Sequence, residues 1–227
     1  MYEYPKIPTI FERNKKTLKV MPKKIRCPEF ENIKKWRITE KLDGRNQRVI
    51  YNNPDNLEFK GRTEKAQMPV PLLDKLKEAF SIEQFRNIFP DTQNVILYLE
   101  AIGPKIQKRG GNYCKEICFR IFDIYIDGWW LEWNNIVDIA SKLNIKTVPE
   151  LGIMTLEEAI RLITPSSNEP LMSIVAKEEN NKPDFPAEGI VATACPMVLF
   201  RRGNPVKWKL KQKDFLGASK NIKRIKK

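Results

Sequence analysis

The 227-residue sequence has no histidine, only four cysteines and no long apolar run, and each shortage excludes a class of protein. Without histidine there is no Ser-His-Asp or Cys-His pair, no HExxH zinc-protease helix, and no imidazole to act as a base near neutral pH. Chemistry has to be carried by lysine, carboxylate, cysteine or a bound metal. The ten glycines form neither GxxxxGK[ST] nor GxGxxG, which removes the P-loop and the Rossmann phosphate turn. Cys27, Cys114, Cys118 and Cys195 include one CxxxC spacing but not the two tight pairs of a structural zinc site, so reduced, buried thiols are expected. No stretch approaches the roughly 18–20 apolar residues of a membrane span. The N-terminus, with Glu3, Pro5 and Lys6, lacks the apolar core of a signal peptide. The chain reads as a soluble cytoplasmic protein, in the host cytoplasm if viral, with no membrane partner.

Acidic residues are scarce relative to basic ones: 28 Asp+Glu stand against 41 Lys+Arg, a formal charge of +13. The excess is uneven. Lys207 to Lys227 holds nine Lys and Arg and one Asp, a net +8, and the rest of the chain carries +5. A basic end suits phosphate backbones; its plainer reading is a solvated terminus. With 41% hydrophobic residues the chain can bury a real core, and its length fits one large or two small domains. The expected organisation is one folded domain over 1–213 and a basic tail over 214–227, with no further C-terminal domain.

Alternating β-branched and aromatic stretches predict strands at Lys35–Lys41, Gln47–Tyr51, Val95–Ala101, Ile117–Ile126, Glu188–Ala194 and Met197–Phe200. Asp127-Gly128 is a tight-turn signal after one of them. Helical spacing runs over Pro71–Phe80, continuing with a break to Phe89, and over Trp133–Leu143, where Trp133, Ile136, Val137, Ala140 and Leu143 share a face. Thr155 and Glu158 form a capping-box pattern that opens a third helix, which stops before Pro165. Lys105–Tyr113, with Gly110-Gly111, and Asn180–Pro186 read as loops. Trp129, Trp130 and Trp133 are expected to pack in the core. The class is α+β.

Chemistry concentrates first in Glu40-Lys41-Leu42-Asp43-Gly44. Strand alternation would put Lys41 and Asp43 on one face, with a glycine permitting a sharp turn. A lysine whose pKa of ~10.4 is lowered by nearby cations or desolvation can be a covalent nucleophile. Taken alone, the same residues read more simply as a surface salt bridge at a turn. Val206–Lys211 alternates lysines with apolar residues, which fits either a phosphate-binding strand face or a lysine-protected edge strand.

The ordered series Lys41-Leu-Asp-Gly, Leu97-Tyr-Leu-Glu100, Phe119-Arg-Ile-Phe122-Asp123, Glu188-Gly-Ile-Val191 and Val206-Lys207-Trp-Lys209 resembles the motifs of the covalent nucleotidyltransferases, which comprise DNA ligases, RNA ligases and mRNA capping enzymes. Asn46, the stretch Gly103–Tyr113 and the opening Tyr4–Arg13 are most similar to the branch of bacteriophage RNA ligase 2. That resemblance implies an ATP-grasp-like α+β nucleotidyltransferase domain, with two antiparallel sheets around an ATP cleft and flanking helices. It implies an ATP-dependent RNA ligase of the RNA-repair type. Lys41 would become adenylylated, AMP would pass to a 5′-phosphate, and a 3′-hydroxyl would then displace AMP.

The roles implied are specific. Lys207 and Lys209 would bind the α-phosphate and help keep Lys41 deprotonated. Glu188, with Asp43, would hold Mg²⁺ or Mn²⁺, and Glu100 would accept from the ribose hydroxyls. Phe122 would stack on adenine, Glu40 would contact the adenine edge, Asn46 would complete the nucleotide site, and Arg62 would meet a phosphate. Each has a plainer alternative: a core aromatic for Phe122, an ordinary salt bridge for Glu40 or Glu100, a solvent-facing strand residue for Glu188. The partners implied are RNA, or DNA and RNA/DNA hybrid ends, met by a monomer. Alternatives within the resemblance are a nick-sealing DNA ligase and a GTP-using capping enzyme; outside it, a nucleic-acid-binding relative without turnover.

Overall fold

The computed structural model describes residues 3–54, 56–164 and 170–216. The predicted basic tail therefore lies, from residue 217 on, outside the described residues. In chain order the strands and helices are β1 (Phe11–Arg13), β2 (Val20–Ile25), β3 (Trp36–Lys41), β4 (Arg45–Asn52), β5 (Asn56–Gly61), α1 (Val70–Ala79), α2 (Ile82–Ile88) and β6 (Asn94–Ile102). There follow β7 (Cys118–Ile126), β8 (Trp129–Trp130), α3 (Trp133–Lys142), β9 (Glu150–Met154), α4 (Leu156–Arg161), α5 (Ile174–Asn180), β10 (Gly189–Ala194), β11 (Lys207–Lys211) and α6 (Lys213–Leu216). The chain divides into two compact units: residues 1–4, 43–148 and 178–182 in one, and 5–42, 149–177 and 183–227 in the other.

The second unit is built on a four-stranded sheet in the order β11-β10-β3-β9, antiparallel throughout. Alternation along β3, β10 and β11 sends Trp36, Ile38, Ile190, Ala192, Trp208 and Leu210 to one face, where they meet Ile10, Phe30, Ala159 and Phe215 in a shared core. Trp36 and Trp208 pack edge to face at 5.8 Å. The opposite face carries Arg37, Thr39 and Lys41 from β3 and Lys207, Lys209 and Lys211 from β11. The segment before β1 pairs with β11, Ile10 donating to the Lys209 carbonyl (3.2 Å) and Lys209 donating to that of Pro8 (2.9 Å). The Thr155–Glu158 capping box is present and opens α4.

The first unit holds a five-stranded antiparallel sheet, β5-β4-β6-β7-β8. Its central strands are largely buried on both faces, which is why β6 reads as a nearly continuous apolar run, whereas β4 buries the polar Gln47 and Arg48 beside Val49, Ile50 and Tyr51. Leu72 and Leu76 from α1, Phe85 from α2 and Phe80 between the two helices are buried, with Phe85 against Tyr51 (5.4 Å) and Phe80 against Phe119 (6.2 Å). The break between these helices is a capping box at Ser81 and Gln84, which starts a new helix rather than bending the first. Asp127 (φ 42°) and Gly128 (φ 100°) make the tight turn from β7 to β8.

Several expectations need correction. Met197–Phe200 is not a strand: only Leu199 bridges to Pro205, in a short hairpin closed by Val206 donating to the Val198 carbonyl at 2.7 Å. Trp129 is 75% exposed at its turn rather than in the core, whereas Trp130 stacks on Tyr98 (5.4 Å) and Trp133 is buried. On α3, Ile139 takes the buried place expected for Val137. The thiols are not all reduced and buried: Cys114 and Cys118 are joined in a disulfide, and Cys27 and Cys195 are free but only half-buried. A four-residue spacing says nothing about pairing until the chain brings the two Cα atoms together, here to 6.8 Å.

Candidate active site

In the four-stranded sheet the register sets the geometry. Gly189 on the central strand β10 faces Lys41 on one neighbour and Lys211 on the other. Two strand spacings put those lysines roughly 10 Å apart, too far to touch. Glu188, immediately before β10, reaches both: its Oε2 accepts from Lys41 Nζ and its Oε1 from Lys211 Nζ. Lys41 Nζ also donates to the Leu42 carbonyl at 3.3 Å. The Glu188 side chain is 11% exposed. Burial alone would raise its pKa, but the charges and hydrogen bonds of Lys41 and Lys211 outweigh burial and hold the carboxyl below the usual glutamate value. Gly189 is required by close packing, since a Cβ there would lie 2.0 Å from the Leu210 carbonyl oxygen.

Lys207 and Lys209 share the face of Lys41, as alternation predicts, but they sit opposite Thr193 and Val191, one and two steps further along β10 in reverse order. Lys209 is thus one alternation step, about 7 Å, from the Lys41 row, and Lys207 two steps. Lys211 occupies the row itself. It went unassigned in the sequence although the Lys-Trp-Lys-Leu-Lys alternation runs through it. Glu40, next to Lys41, points to the other face. Buried at its edge, it accepts from the hydroxyl of Ser173 and the backbone N–H groups of Ile174 (3.0 Å) and Val175 (3.3 Å). Glu40 therefore anchors the start of α5.

The remaining predicted residues belong to the first unit. Asp43 lies past the end of β3, in the turn before β4, so the alternation that would align it with Lys41 stops short; its backbone N–H donates to the Tyr113 hydroxyl at 3.3 Å. Gly44 donates to Glu100 at 3.1 Å, and a Cβ on Gly44 would lie 2.4 Å from the Ala101 carbonyl oxygen. Close approach, and not an unusual φ, demands glycine here. Asn46 stands opposite Glu100 in the register, and its Oδ1 is buried with no hydrogen-bond partner. Such an acceptor has room for a hydrogen bond from water or from a ligand. Phe122 sits where the β6–β7 register slips between Tyr98 and Leu99. The bulge leaves it half-buried, edge-on to Tyr4 at 5.0 Å, rather than sunk in the core. Arg62 is exposed just beyond β5. Tyr4, which the motif series did not single out, hydrogen-bonds Asp123; burial first, and then the Asp123 charge, raise its pKa well above the usual tyrosine value.

Among the described residues no cluster of three or more His, Cys, Asp or Glu is placed to hold a metal. The donors present fit a different arrangement, in which a divalent ion is carried largely by substrate phosphates and water with one or two protein carboxylates, as Mg²⁺ commonly is.

The same fold is found in solved RNA ligase structures. Naegleria gruberi RNA ligase with PPi matches with a TM-score of 0.62 and 21% identity, over 86% of this chain and 55% of that one. A mutant of that ligase with ATP and Mn matches with a TM-score of 0.66 and 19% identity, over 96% and 58%. Another mutant, with AMP and Mn, matches with a TM-score of 0.62 and 20% identity, over 93% and 59%. The chain thus has the nucleotidyltransferase fold of RNA ligases, and it spans less than two thirds of the solved protein's length. A profile of the RNA ligase family matches residues 34–209, from just before β3 to the middle of β11. The chain belongs to the RNA ligase family. No curated protein matches it by sequence.

Proposed function

We propose that the protein is an ATP-dependent RNA ligase that works through a covalent lysyl-AMP at Lys41, acting as a cytoplasmic monomer on RNA ends, or on DNA and hybrid ends. The observation that carries this reading is the Lys41–Glu188–Lys211 bridge across three strands, which presents one lysine amine in a fixed direction on a face lined by further lysines. Family membership supports it, as do the ligands named for the Naegleria structures: ATP with Mn, AMP with Mn, and PPi.

On this reading the Lys41 Nζ lone pair attacks the α-phosphorus of ATP after losing its proton to solvent. An N–P bond forms and the P–O bond to pyrophosphate breaks. Lys207 and Lys209 bind the phosphate oxygens as charge builds. The adenylyl group then moves to a 5′-phosphate, freeing Lys41, and a 3′-hydroxyl displaces AMP to form the phosphodiester. Asn46 and Glu100 hold the nucleoside, Phe122 stacks on adenine, and Arg62 meets a phosphate. Glu188, with Asp43, would hold the divalent ion, which when bound supplies neutralising charge to the phosphates. Glu40 acts on this chemistry by anchoring α5 next to β3.

The test is incubation with ATP or GTP carrying radiophosphorus at the α-position, followed by denaturing electrophoresis. Label from ATP that disappears in Lys41→Ala is expected. Label from GTP instead would make the protein a capping-type enzyme. No label in protein first stripped with pyrophosphate would leave a non-catalytic nucleic-acid binder.

A further inference from the structure

The segment from Gly103 to Lys115 contains Lys105, Lys108, Arg109 and Lys115 and no carboxylate. All four cations are exposed. The next residue, Glu116, lies 4.0 Å from Lys75 on α1. A run of surface charge is commonly no more than a solvated loop, but this one is held in shape. Consecutive turns close it, with Gly110 donating to the Gln107 carbonyl (2.9 Å), Asn112 to that of Arg109 (3.0 Å) and Tyr113 to that of Gly110 (3.0 Å). Gly110 is buried so tightly that a Cβ would lie 2.0 Å from the Gly103 carbonyl oxygen. From outside, Asn180 donates to the carbonyls of Gly111 (2.9 Å) and Asn112 (3.2 Å). Lys182 brings a fifth cation to Asn112 Oδ1 at 2.9 Å.

The loop is also tied to the turn that follows Lys41 in the chain. Gln107 donates to the Gly44 carbonyl at 3.2 Å, and the Tyr113 hydroxyl accepts from the Asp43 backbone at 3.3 Å. Lys105 itself is left-handed, φ 64°. That conformation is strained for any residue with a Cβ and easy for glycine. What a glycine could not supply at that point is a positive charge, and strain kept at one residue is a pointer to function.

We propose that this loop is a docking surface for the phosphate backbone of the RNA strand, read through Lys105, Lys108 and Arg109. The choice of RNA rests on the proposed ligase activity; the existence of a fixed cationic surface does not. Phosphate contacts of this kind position a strand without reading its sequence, and they release counterions.

The experiment is a salt titration of single-stranded RNA binding by fluorescence anisotropy, with the full chain and the triple variant K105A/K108A/R109A. Three lost phosphate contacts should reduce the slope of log affinity against log salt by about 2 and weaken binding about tenfold or more at ~0.1 M salt. Unchanged affinity and slope would overturn the proposal. Because alanine at 105 keeps the strain, Lys105→Gly is the second variant: it should raise or preserve the melting temperature while weakening RNA binding. Intact binding in that variant would remove Lys105 from the surface. Adenylylation by ATP alone involves no RNA and should be unchanged in every variant. A wild-type protein that fails to take up label would sink the ligase reading, whereas the loop is judged by binding alone.

Discussion

The two sheets differ in how they hold the polar residues singled out above, although the four-stranded sheet also buries the Trp36 and Trp208 indole nitrogens without a partner. In the four-stranded sheet the charges that matter are already compensated: Glu188 is bridged to Lys41 and Lys211, and Glu40 is held by three donors at the start of α5. In the five-stranded sheet Asn46 Oδ1 and Gln47 Oε1 are buried without partners, and Phe122 is half-exposed at a bulge. A buried acceptor left unpaired costs about 1–3 kcal/mol. One sheet therefore holds these charges in ion pairs and hydrogen bonds within the protein. The other carries buried hydrogen-bonding capacity that no group among the described residues satisfies.

The largest effect should come from Lys41→Ala. Covalent labelling by ATP should fall at least ~1000-fold, because no other group supplies the bond. The melting temperature should move by only a few degrees, since Glu188 keeps Lys211. A large loss of stability would show that the bridge is structural before it is catalytic.

Next come two glycines that close packing requires, one in each unit. Gly189→Ala forces a methyl against the Leu210 carbonyl, and Gly44→Ala forces one against that of Ala101. Each should destabilise by about 1–3 kcal/mol or more in urea unfolding, Gly189→Ala the more because its contact is closer. Near-wild-type stability of either variant would mean that the strands beside it separate easily.

Glu179→Gln tests whether charges in the first unit are as closely paired as those in the second. Glu179 is bonded to Arg120, a buried residue, and to Lys146 at 2.7 Å. The Lys146 hydrogen bond, and then the Arg120 charge, hold its pKa below the ordinary 4.5 against the opposing effect of burial. A lowered folded pKa means that the stability it contributes is present above 4.5 and is lost as pH falls below that value. The variant should lose about 1–3 kcal/mol at neutral pH and show a flatter acid limb. A parallel acid limb in variant and wild type would place the pair among those that contribute nothing measurable.

The smallest change in stability is expected for Asn46→Ala, within ~1 kcal/mol, because its Oδ1 loses no partner. Its KM for ATP in adenylylation should nonetheless rise about tenfold. A variant that is unstable but catalytically normal would reverse the contrast between the sheets.

Much of this was legible in the chain because it is local. The alternation of β3, β4, β6, β7 and β10, the capping box at Thr155 and the Asp127-Gly128 turn each depend on residues within a few positions of one another. So does the motif order from Lys41 to Lys209 that carried the family resemblance. The misses are all matters of register or of long-range packing. Glu150–Met154 is an edge strand only because it pairs with β3, and Ile174–Asn180 is a helix whose start is anchored by Glu40, over 130 positions away. Lys211 outranks Lys207 as the neighbour of Lys41 because Gly189 lies between Lys41 and Lys211. Phe122 escapes the core because one residue of β7 is left over against β6.

By itself the sequence determined which residues can do chemistry. It contains no imidazole and no glycine-rich phosphate loop, but it has lysines and carboxylates spaced along strands, and side-chain identity and period-two alternation are properties of a few adjacent residues. The tertiary structure decided which of those residues meet. A single carboxylate reaching two lysines across three strands depends on how strands far apart in the chain are aligned, and a shift of one residue in that alignment would turn every one of these side chains to the other face.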